Sequence, residues 1–205
     1  MWSLQTDRRA EQSMGMPAAK QRRWTRAEVL DLIERNPLQT PRYEVVDGEL
    51  FVTPSPRPIH QIAVGELLFA LMTYCKATGI GEAITSPSDT ELEPDTLVQP
   101  DVYVVPREEG MRMRTVSTGR RLLLAAEVLS PSSQRGDRGK KRLLYQRRVP
   151  LYWIVNLDGR IVESWHPDSL EPTIVRDRLE WHPAGAPEEF TLDLPEYFAR
   201  VFGER

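Results

Sequence analysis

The segment Leu122–Leu129 constrains the fold of this chain more than any other, because it is a nearly uninterrupted apolar run that contains one acid, Glu127. Runs of this kind are typical of strands that are covered on both faces of a sheet. Burial of an unpaired, ionised carboxylate is costly, so Glu127 needs a cation, a proton or strong hydrogen-bond donors beside it. A salt bridge to a nearby arginine would meet this need, and so would a metal or catalytic site.

A second acid stands in a similar setting. Asp101 follows Pro100 near the start of a predicted strand, Val98–Val105, among β-branched residues. If this strand and Arg121–Leu129 are antiparallel neighbours, Asp101 and Glu127 come to lie side by side. Two adjacent carboxylates repel each other unless a divalent cation lies between them, and carboxylate oxygens suit Mg²⁺ or Mn²⁺. The alternative for Asp101 alone is a role in a turn or a helix cap.

The helix predicted after the second strand presents a lysine toward these acids. Asp137, Lys141 and Tyr145 are spaced at i, i+4 and i+8, so they share one helix face, whereas Lys140 points about 100° away. A lysine on this face would hold a hydroxide or stabilise the charge that develops on a phosphate. An ordinary surface ion pair is the alternative.

The remaining pattern predicts an α+β protein with one central mixed sheet. A capping box at Thr25 and Glu28 opens the first helix, and Asp-Gly pairs mark two hairpins. The predicted helices are Ala27–Glu34, Pro58–Ala77 and Pro195–Val201. The predicted hairpins are Tyr43–Val52 and Leu151–Trp165, with short strands near Thr173–Val175 and Glu189–Leu192, and Pro106–Arg120 is expected to form a long exposed hairpin loop.

Composition limits the class of protein. The length of 205 residues predicts one domain, residues 24–205, after a flexible segment, residues 1–23. The single cysteine, Cys75, allows neither an internal disulfide nor a cysteine-based zinc site. The longest apolar run, Ile62–Cys75, contains Glu66 and is shorter than the ~20 residues of a membrane-spanning helix. With no segment that resembles a signal peptide, we expect a soluble, cytoplasmic protein without membrane contact.

Charge is distributed unevenly along the chain. The net charge is −3, which excludes a histone-like, wholly basic nucleic-acid binder, yet residues 101–150 contain twelve basic and five acidic side chains. Such a basic segment indicates a surface that meets polyanions. A solvated helix face beside a basic loop would give the same count.

The ordered motifs over residues 25–165 resemble the putative restriction endonuclease family (Uma-type) of the PD-(D/E)XK nuclease superfamily. The motifs of the second half are Pro100-Asp101, Glu127-Val128-Leu129-Ser130-Pro131-Ser132, Asp137 with Lys141 and Tyr145, and Val149-Pro150-Leu151-Tyr152-Trp153-Ile154-Val155. Those of the first half are Tyr43-Glu44, Asp47-Gly48-Glu49 and His60-Gln61.

The resemblance implies a restriction-endonuclease-like core (α/β/α-like), in which helices flank a central mixed β-sheet with N-terminal hairpin additions. It implies Asp101, Glu127 and the main-chain carbonyl of Val128 as ligands of Mg²⁺ or Mn²⁺. In the superfamily the catalytic lysine usually stands two residues after the second acid, but Leu129 occupies that position here. In this family the lysine comes from the next helix, which corresponds to Lys141.

Other residues are secondary candidates. For Glu49 the two alternatives are a third acid near the metal and a surface residue of its hairpin. His60 would contact a phosphate or serve a local structural role at the start of its helix. Three arginines of the basic segment are predicted phosphate contacts: Arg135, Arg138 and Arg142.

The sequence therefore predicts a metal-dependent endonuclease that hydrolyses phosphodiester bonds of nucleic acid, with DNA as the expected substrate and a homodimer as one expected assembly. One alternative is a catalytically silent nuclease fold that binds nucleic acid or a protein partner. A metal-dependent hydrolase of small phosphoesters is the other.

Overall fold

A computed structural model describes residues 22–38, 40–114, 121–130 and 138–204. The predicted flexible segment lies almost wholly outside these residues, and the extent of the single domain stays a prediction. The described helices are α1 (Arg26–Glu34), α2 (Pro58–Thr78), α3 (Arg107–Met113), α4 (Lys140–Arg148) and α5 (Leu194–Phe202). The described strands are β1 (Arg42–Val46), β2 (Glu49–Thr53), β3 (Gly81–Thr85), β4 (Val102–Pro106), β5 (Leu124–Val128), β6 (Tyr152–Asn156), β7 (Ile161–Trp165), β8 (Thr173–Val175), β9 (Arg178–Trp181) and β10 (Phe190–Asp193).

Six strands form the central sheet in the order β3-β4-β5-β6-β7-β8. The pair β5–β6 is parallel and the other neighbours are antiparallel, so the sheet is mixed, as predicted. Strands β4 and β5 lie side by side with Val102 opposite Ala126. This register brings the residue before β4, Asp101, next to the end of β5.

Helices cover both faces of the sheet, because its central strands are apolar on both sides. Even-numbered residues such as Val104 and Ala126 pack with α2 and α5 on one face. Odd-numbered residues such as Tyr103 and Ala125 pack with α4 on the other. Since side chains alternate along a strand, Glu127 shares the face of Ala125 and points toward α4.

The N-terminal hairpin forms as its Asp-Gly pair predicts. Strands β1 and β2 join through Asp47 and Gly48, whose φ angles of 52° and 77° match the two positive values of a type I′ turn. Thr25 and Glu28 form the predicted capping box of α1. On β1, Val45 packs against α1 and Val46 packs into the α4 side of the main core.

The prediction of a long exposed loop between β4 and β5 is partly wrong. The two strands are adjacent and antiparallel, but α3 follows β4 directly, and residues 115–120 lie outside the described part of the chain. Glu109 and Arg112 pair across one turn of α3, at 2.5 Å, and Gly110 allows a close approach to Glu82 of β3. Contact with the edge of the sheet therefore stabilises a helix where composition alone indicated a loop.

Two strands had no signal in the sequence pattern, β3 and β9. Strand β3 pairs with β4 and strand β9 pairs with β10, so each is held by hydrogen bonds from another strand. Within the described ranges, no helix combines the length and apolarity that crossing a membrane requires.

Candidate active site

Asp101 directly precedes β4, and residues of three different segments contact its carboxylate. Arg42 donates to Oδ1 at 2.9 Å, and Oδ2 accepts from the main-chain N–H of Val128 at 2.9 Å. The Nε2 atom of His60 lies 3.1 Å from the same Oδ2. Because an ionised carboxylate only accepts hydrogen bonds, this contact requires the proton on Nε2. Asp101 is 2% exposed, so these donors replace water almost completely.

Glu127 lies beside Asp101 on the next strand. Its Oε2 accepts a long hydrogen bond, 3.4 Å, from the main-chain N–H of Asp101, and Tyr145 donates to its Oε1 at 3.2 Å. Lys141 lies 2.6 Å from the same Oε1. Of the partners that a buried Glu127 could use, the protein itself thus supplies a cation, Lys141, on the predicted face of α4.

A third buried acid, Glu44 of β1, joins the cluster through Lys141. Both carboxylate oxygens of Glu44 lie 3.1 Å from Nζ of Lys141. The main-chain N–H of Gln99 donates to Glu44 at 2.8 Å. Lys141 therefore links two carboxylates, Glu44 and Glu127, from two separate sheets.

Arg42, two residues before Glu44 on β1, forms the corresponding ion pair with Asp101. Its guanidinium also donates to the hydroxyl of Ser86 at 2.8 Å and to the carbonyl of Gln99 at 3.3 Å. Residues i and i+2 of a strand face the same way, so the N-terminal hairpin delivers both charges to the site from one face.

Electrostatics keep Asp101 ionised. Burial alone would raise the pKa of its carboxyl group. The hydrogen bond from His60, the charge of Arg42 and the hydrogen bond from Val128 outweigh burial and hold the pKa well below its ordinary value of 3.8. A carboxylate that stays charged while buried is suited to bind a cation.

The donor set at this point fits a hard divalent cation. Asp101 and Glu127 supply carboxylate oxygens, and the N–H of Val128 already faces Asp101. In an extended strand the carbonyl of a residue points to the same side as its N–H, so the Val128 carbonyl faces the same edge of β5. Within the described ranges, no three His, Cys, Asp or Glu side chains converge into a complete metal cage. Magnesium sites need none, because one or two carboxylates with water and substrate phosphate suffice.

Glu49 lies outside this cluster. Its carboxylate pairs with Lys140 at 2.9 Å, and the two side chains are 41% and 43% exposed. Lys140 and Lys141 thus separate as the helix geometry predicts, one on the surface and one beside the buried acids. The surface alternative for Glu49 agrees with this placement.

The structure describes two of the three arginines that were predicted to contact phosphate. Arg138 pairs with Glu163, and the guanidinium of Arg142 stacks on Trp165 at 4.5 Å from the ring centre. Neither contacts Asp101 or Glu127 in the described structure. Arg135 and Asp137 lie outside the described residues.

Sequence reasoning missed the parts that Arg42 and Glu44 play, although Tyr43-Glu44 belonged to the motif of the first half. One signal was available. Arg42 and Glu44 stand at positions i and i+2 of a strand that continues into Val45-Val46, so the two charged side chains share one face of the hairpin. His60, expected either to contact a phosphate or to serve a local structural role, has a buried ring, 5% exposed, that lies beside Asp101.

The mixed sheet, the helices on both of its faces and the two acids at the junction of β4 and β5 define the chain as an α+β protein with the restriction-endonuclease-like fold. Residues 27–195 match the model of the Uma2 family, described as putative restriction endonuclease, and the chain belongs to this family. The family resemblance expected from the motifs is confirmed.

A solved structure shares the fold. The crystal structure of a putative nuclease belonging to DUF820 from Anabaena variabilis ATCC 29413 superposes with a TM-score of 0.70 at 20% sequence identity. The match covers 84% of this chain and 98% of that chain. No curated protein matches the sequence.

Proposed function

We propose that the protein is an endonuclease that depends on Mg²⁺ or Mn²⁺ and hydrolyses phosphodiester bonds, with DNA as its substrate. The observation that carries the proposal is the buried pair Asp101 and Glu127 on neighbouring strands, linked by a 3.4 Å contact. Membership of the Uma2 family supports the same class of reaction.

Asp101, Glu127 and the carbonyl of Val128 would hold the metal ion. When bound, such an ion polarises a scissile phosphate and lowers the pKa of a bound water. Arg42 and His60 keep the Asp101 carboxylate charged and oriented, as its lowered pKa indicates.

Lys141 supplies a fixed positive charge beside the acids. Its Nζ lies 2.6 Å from Glu127, and its side chain is 4% exposed. A preorganised cation at this depth would orient an attacking water or stabilise the negative charge that develops on the phosphate. Tyr145, from the next turn of α4, restrains the same carboxylate at 3.2 Å.

Arginines of the basic segment would hold the nucleic acid. Arg138, Arg142 and Arg135 are the proposed contacts, and contacts of this kind position a phosphate backbone without specifying its sequence. Arg138 and Arg142 would have to exchange their present partners, Glu163 and Trp165, for phosphate. A homodimer and a cytoplasmic location stay predictions.

The decisive experiment measures cleavage of supercoiled plasmid and of single-stranded DNA with Mn²⁺, Mg²⁺ or EDTA. Wild type is compared with Asp101→Asn and Glu127→Gln, which retain side-chain volume. Glu171→Gln removes an exposed carboxylate and is the matched control. All proteins are purified identically.

We expect metal-dependent cutting by wild type and Glu171→Gln, and a loss of at least a hundredfold in the two site variants. Equal cutting by all four proteins would identify a contaminating nuclease. DNA binding without cutting would favour the catalytically silent module, and cleavage of a chromogenic diester without cleavage of DNA would favour the hydrolase of small phosphoesters.

A further inference from the structure

A cavity of about 170 Å³ adjoins the two side chains that contact the Asp101 carboxylate. Arg42 and His60 line this cavity, and they contact different oxygens of Asp101, at 2.9 and 3.1 Å. Most of the remaining lining comes from residues 53–57, where β2 passes into α2. The cavity is therefore separated from Asp101 by one layer of side chains.

The residues that line this cavity suit an anion. They include two arginines, Arg42 and Arg57, and two hydroxyl residues of the same loop, Thr53 and Ser55, and no acid is among the described lining residues. Arginine and hydroxyl side chains are common contacts of nucleic-acid phosphates. Sites for drug-sized ligands measure roughly 300–1,000 Å³, so this smaller cavity suits a single group such as a phosphate.

Arg57 differs from the other cations near the site because its charge has no partner. Its side chain is exposed, and within the described ranges its guanidinium has neither a hydrogen bond nor an ion pair. Arg42, in contrast, pairs with Asp101, and Lys141 pairs with Glu127. Arg57 can therefore bind a phosphate without giving up an existing contact.

The basic segment, residues 101–150, offers little free charge of this kind. Most lysines and arginines in its described part pair with carboxylates, for example Arg114 with Glu82 and Arg147 with Glu93. A phosphate that binds to one of these side chains has to displace a carboxylate. A phosphate that binds to Arg57 does not.

We propose that Arg57 binds a phosphate of the substrate strand in this cavity, next to the phosphate that is cut. The proposal rests on the proposed nuclease function and adds the side from which the strand reaches the acid pair, across the segment between β2 and α2. A phosphate held there fixes the strand relative to Asp101 and carries no sequence information. Arg57 is thus a substrate-binding residue that takes no part in the chemical step.

Fluorescence anisotropy with a labelled single-stranded DNA in EDTA tests the proposal without catalysis. Wild type is compared with Arg57→Gln and Arg57→Lys over a series of salt concentrations. Arg176→Gln is the matched control, because Arg176 is also exposed and without an ion pair among the described residues, but lies between β8 and β9. Urea unfolding checks that every variant is as stable as wild type.

We expect Arg57→Gln to bind DNA about tenfold more weakly, as for the loss of charge-assisted hydrogen bonds. Arg57→Lys retains the charge and should bind more tightly than Arg57→Gln. The slope of log K against log salt concentration should become shallower by about 0.7 in Arg57→Gln, the value for one phosphate contact of a single strand. Arg176→Gln should match wild type. The proposal is overturned if wild type binds no DNA, if Arg57→Gln retains the wild-type affinity and slope, or if Arg176→Gln loses as much.

Cleavage in Mn²⁺ provides the second readout. Arg57→Gln should raise the KM for DNA and leave kcat unchanged, because the phosphate at Arg57 does not react. A lower kcat with an unchanged KM would contradict this role. If no protein cuts DNA but Arg57→Gln binds it more weakly, the nuclease function fails and the phosphate site remains. If Arg57→Gln binds and cuts DNA as wild type does, the phosphate site fails and the nuclease function remains.

Discussion

The Nζ atom of Lys141 lies 2.6 Å from Oε1 of Glu127, and their side chains are 4% and 1% exposed. The same lysine contacts Glu44 at 3.1 Å. In water an ion pair of this kind contributes little, but inside a protein the loss of one partner leaves the other charge buried without compensation. The residue proposed to act in catalysis is therefore also a residue on which the folded state depends.

Lys141→Met should destabilise the protein by about 3–5 kcal/mol, the usual cost of breaking a buried ion pair from one side. Urea unfolding in EDTA measures the free energy of unfolding without a contribution from metal. Lys140→Met is the matched control, because its exposed pair with Glu49 predicts a change of about 0–1 kcal/mol. Equal losses in the two variants would contradict the buried placement of Lys141.

A second ion pair makes stability depend on pH. Hydrogen bonds from Arg147 and Arg148 lower the pKa of Glu93 from its ordinary value of 4.5 to about 2. A carboxyl group whose pKa is lower in the folded state stabilises that state above its unfolded pKa, and this contribution disappears as the pH falls through the folded pKa. The window for Glu93 is therefore pH 4.5 down to about 2.

Glu93→Gln should be less stable than wild type at pH 7, by about 1–2 kcal/mol for the lost charge-assisted hydrogen bonds. The difference should shrink as the pH falls from 4.5 toward 2. Urea unfolding at a series of pH values gives both curves, with Glu171→Gln as the exposed control. A difference that stays constant over this range would show that Glu93 does not titrate as its contacts indicate.

The pairing of Asp101 with Glu127 was predictable because it depends on local signals. An apolar run with one acid and a second strand before it place both acids near one another once the strands are antiparallel, because Asp101 and Glu127 directly adjoin the pair Val102 and Ala126. The i, i+4 spacing of Lys141 and Tyr145 adds the helix face. The helix face needs only the period of a single element, and the acid pair needs in addition that two consecutive strands be neighbours.

The partners of these residues were not predictable in the same way. Glu44 is 97 positions from Lys141, and His60 is 41 positions from Asp101. Their contacts depend on how a hairpin and a helix pack onto the sheet, and the periodicity of residues within one helix or strand does not predict that packing. The helix α3 was missed for the same reason, since its stability comes from contact with β3.

Two glycines give opposite tests of the fold. A Cβ on Gly81 of β3 would lie 2.0 Å from the carbonyl oxygen of Val105, so Gly81→Ala must push β3 away from β4. We expect a loss of about 1–3 kcal/mol or more, as for other overpacked sites. Gly65 of α2 has open space around its Cα, and Gly65→Ala should gain about 0.5–1 kcal/mol from helix propensity. Thermal unfolding of both variants measures the signs, and a loss in both would contradict the described position of Gly65.

His60 tests whether Asp101 binds the metal. Its Nε2 donates to Oδ2 of Asp101 at 3.1 Å, and groups that orient a metal-binding carboxylate typically contribute about 10–100-fold to metal affinity. His60→Ala should weaken Mn²⁺ binding by this factor, whereas His60→Gln, which retains an N–H donor, should lose less. Calorimetric titration with Mn²⁺ measures both, with His182→Ala as an exposed control. If His60→Ala binds Mn²⁺ as tightly as wild type while Asp101→Asn does not, the histidine only supports the fold. If Asp101→Asn also binds normally, the metal lies elsewhere and the proposed reaction loses its basis.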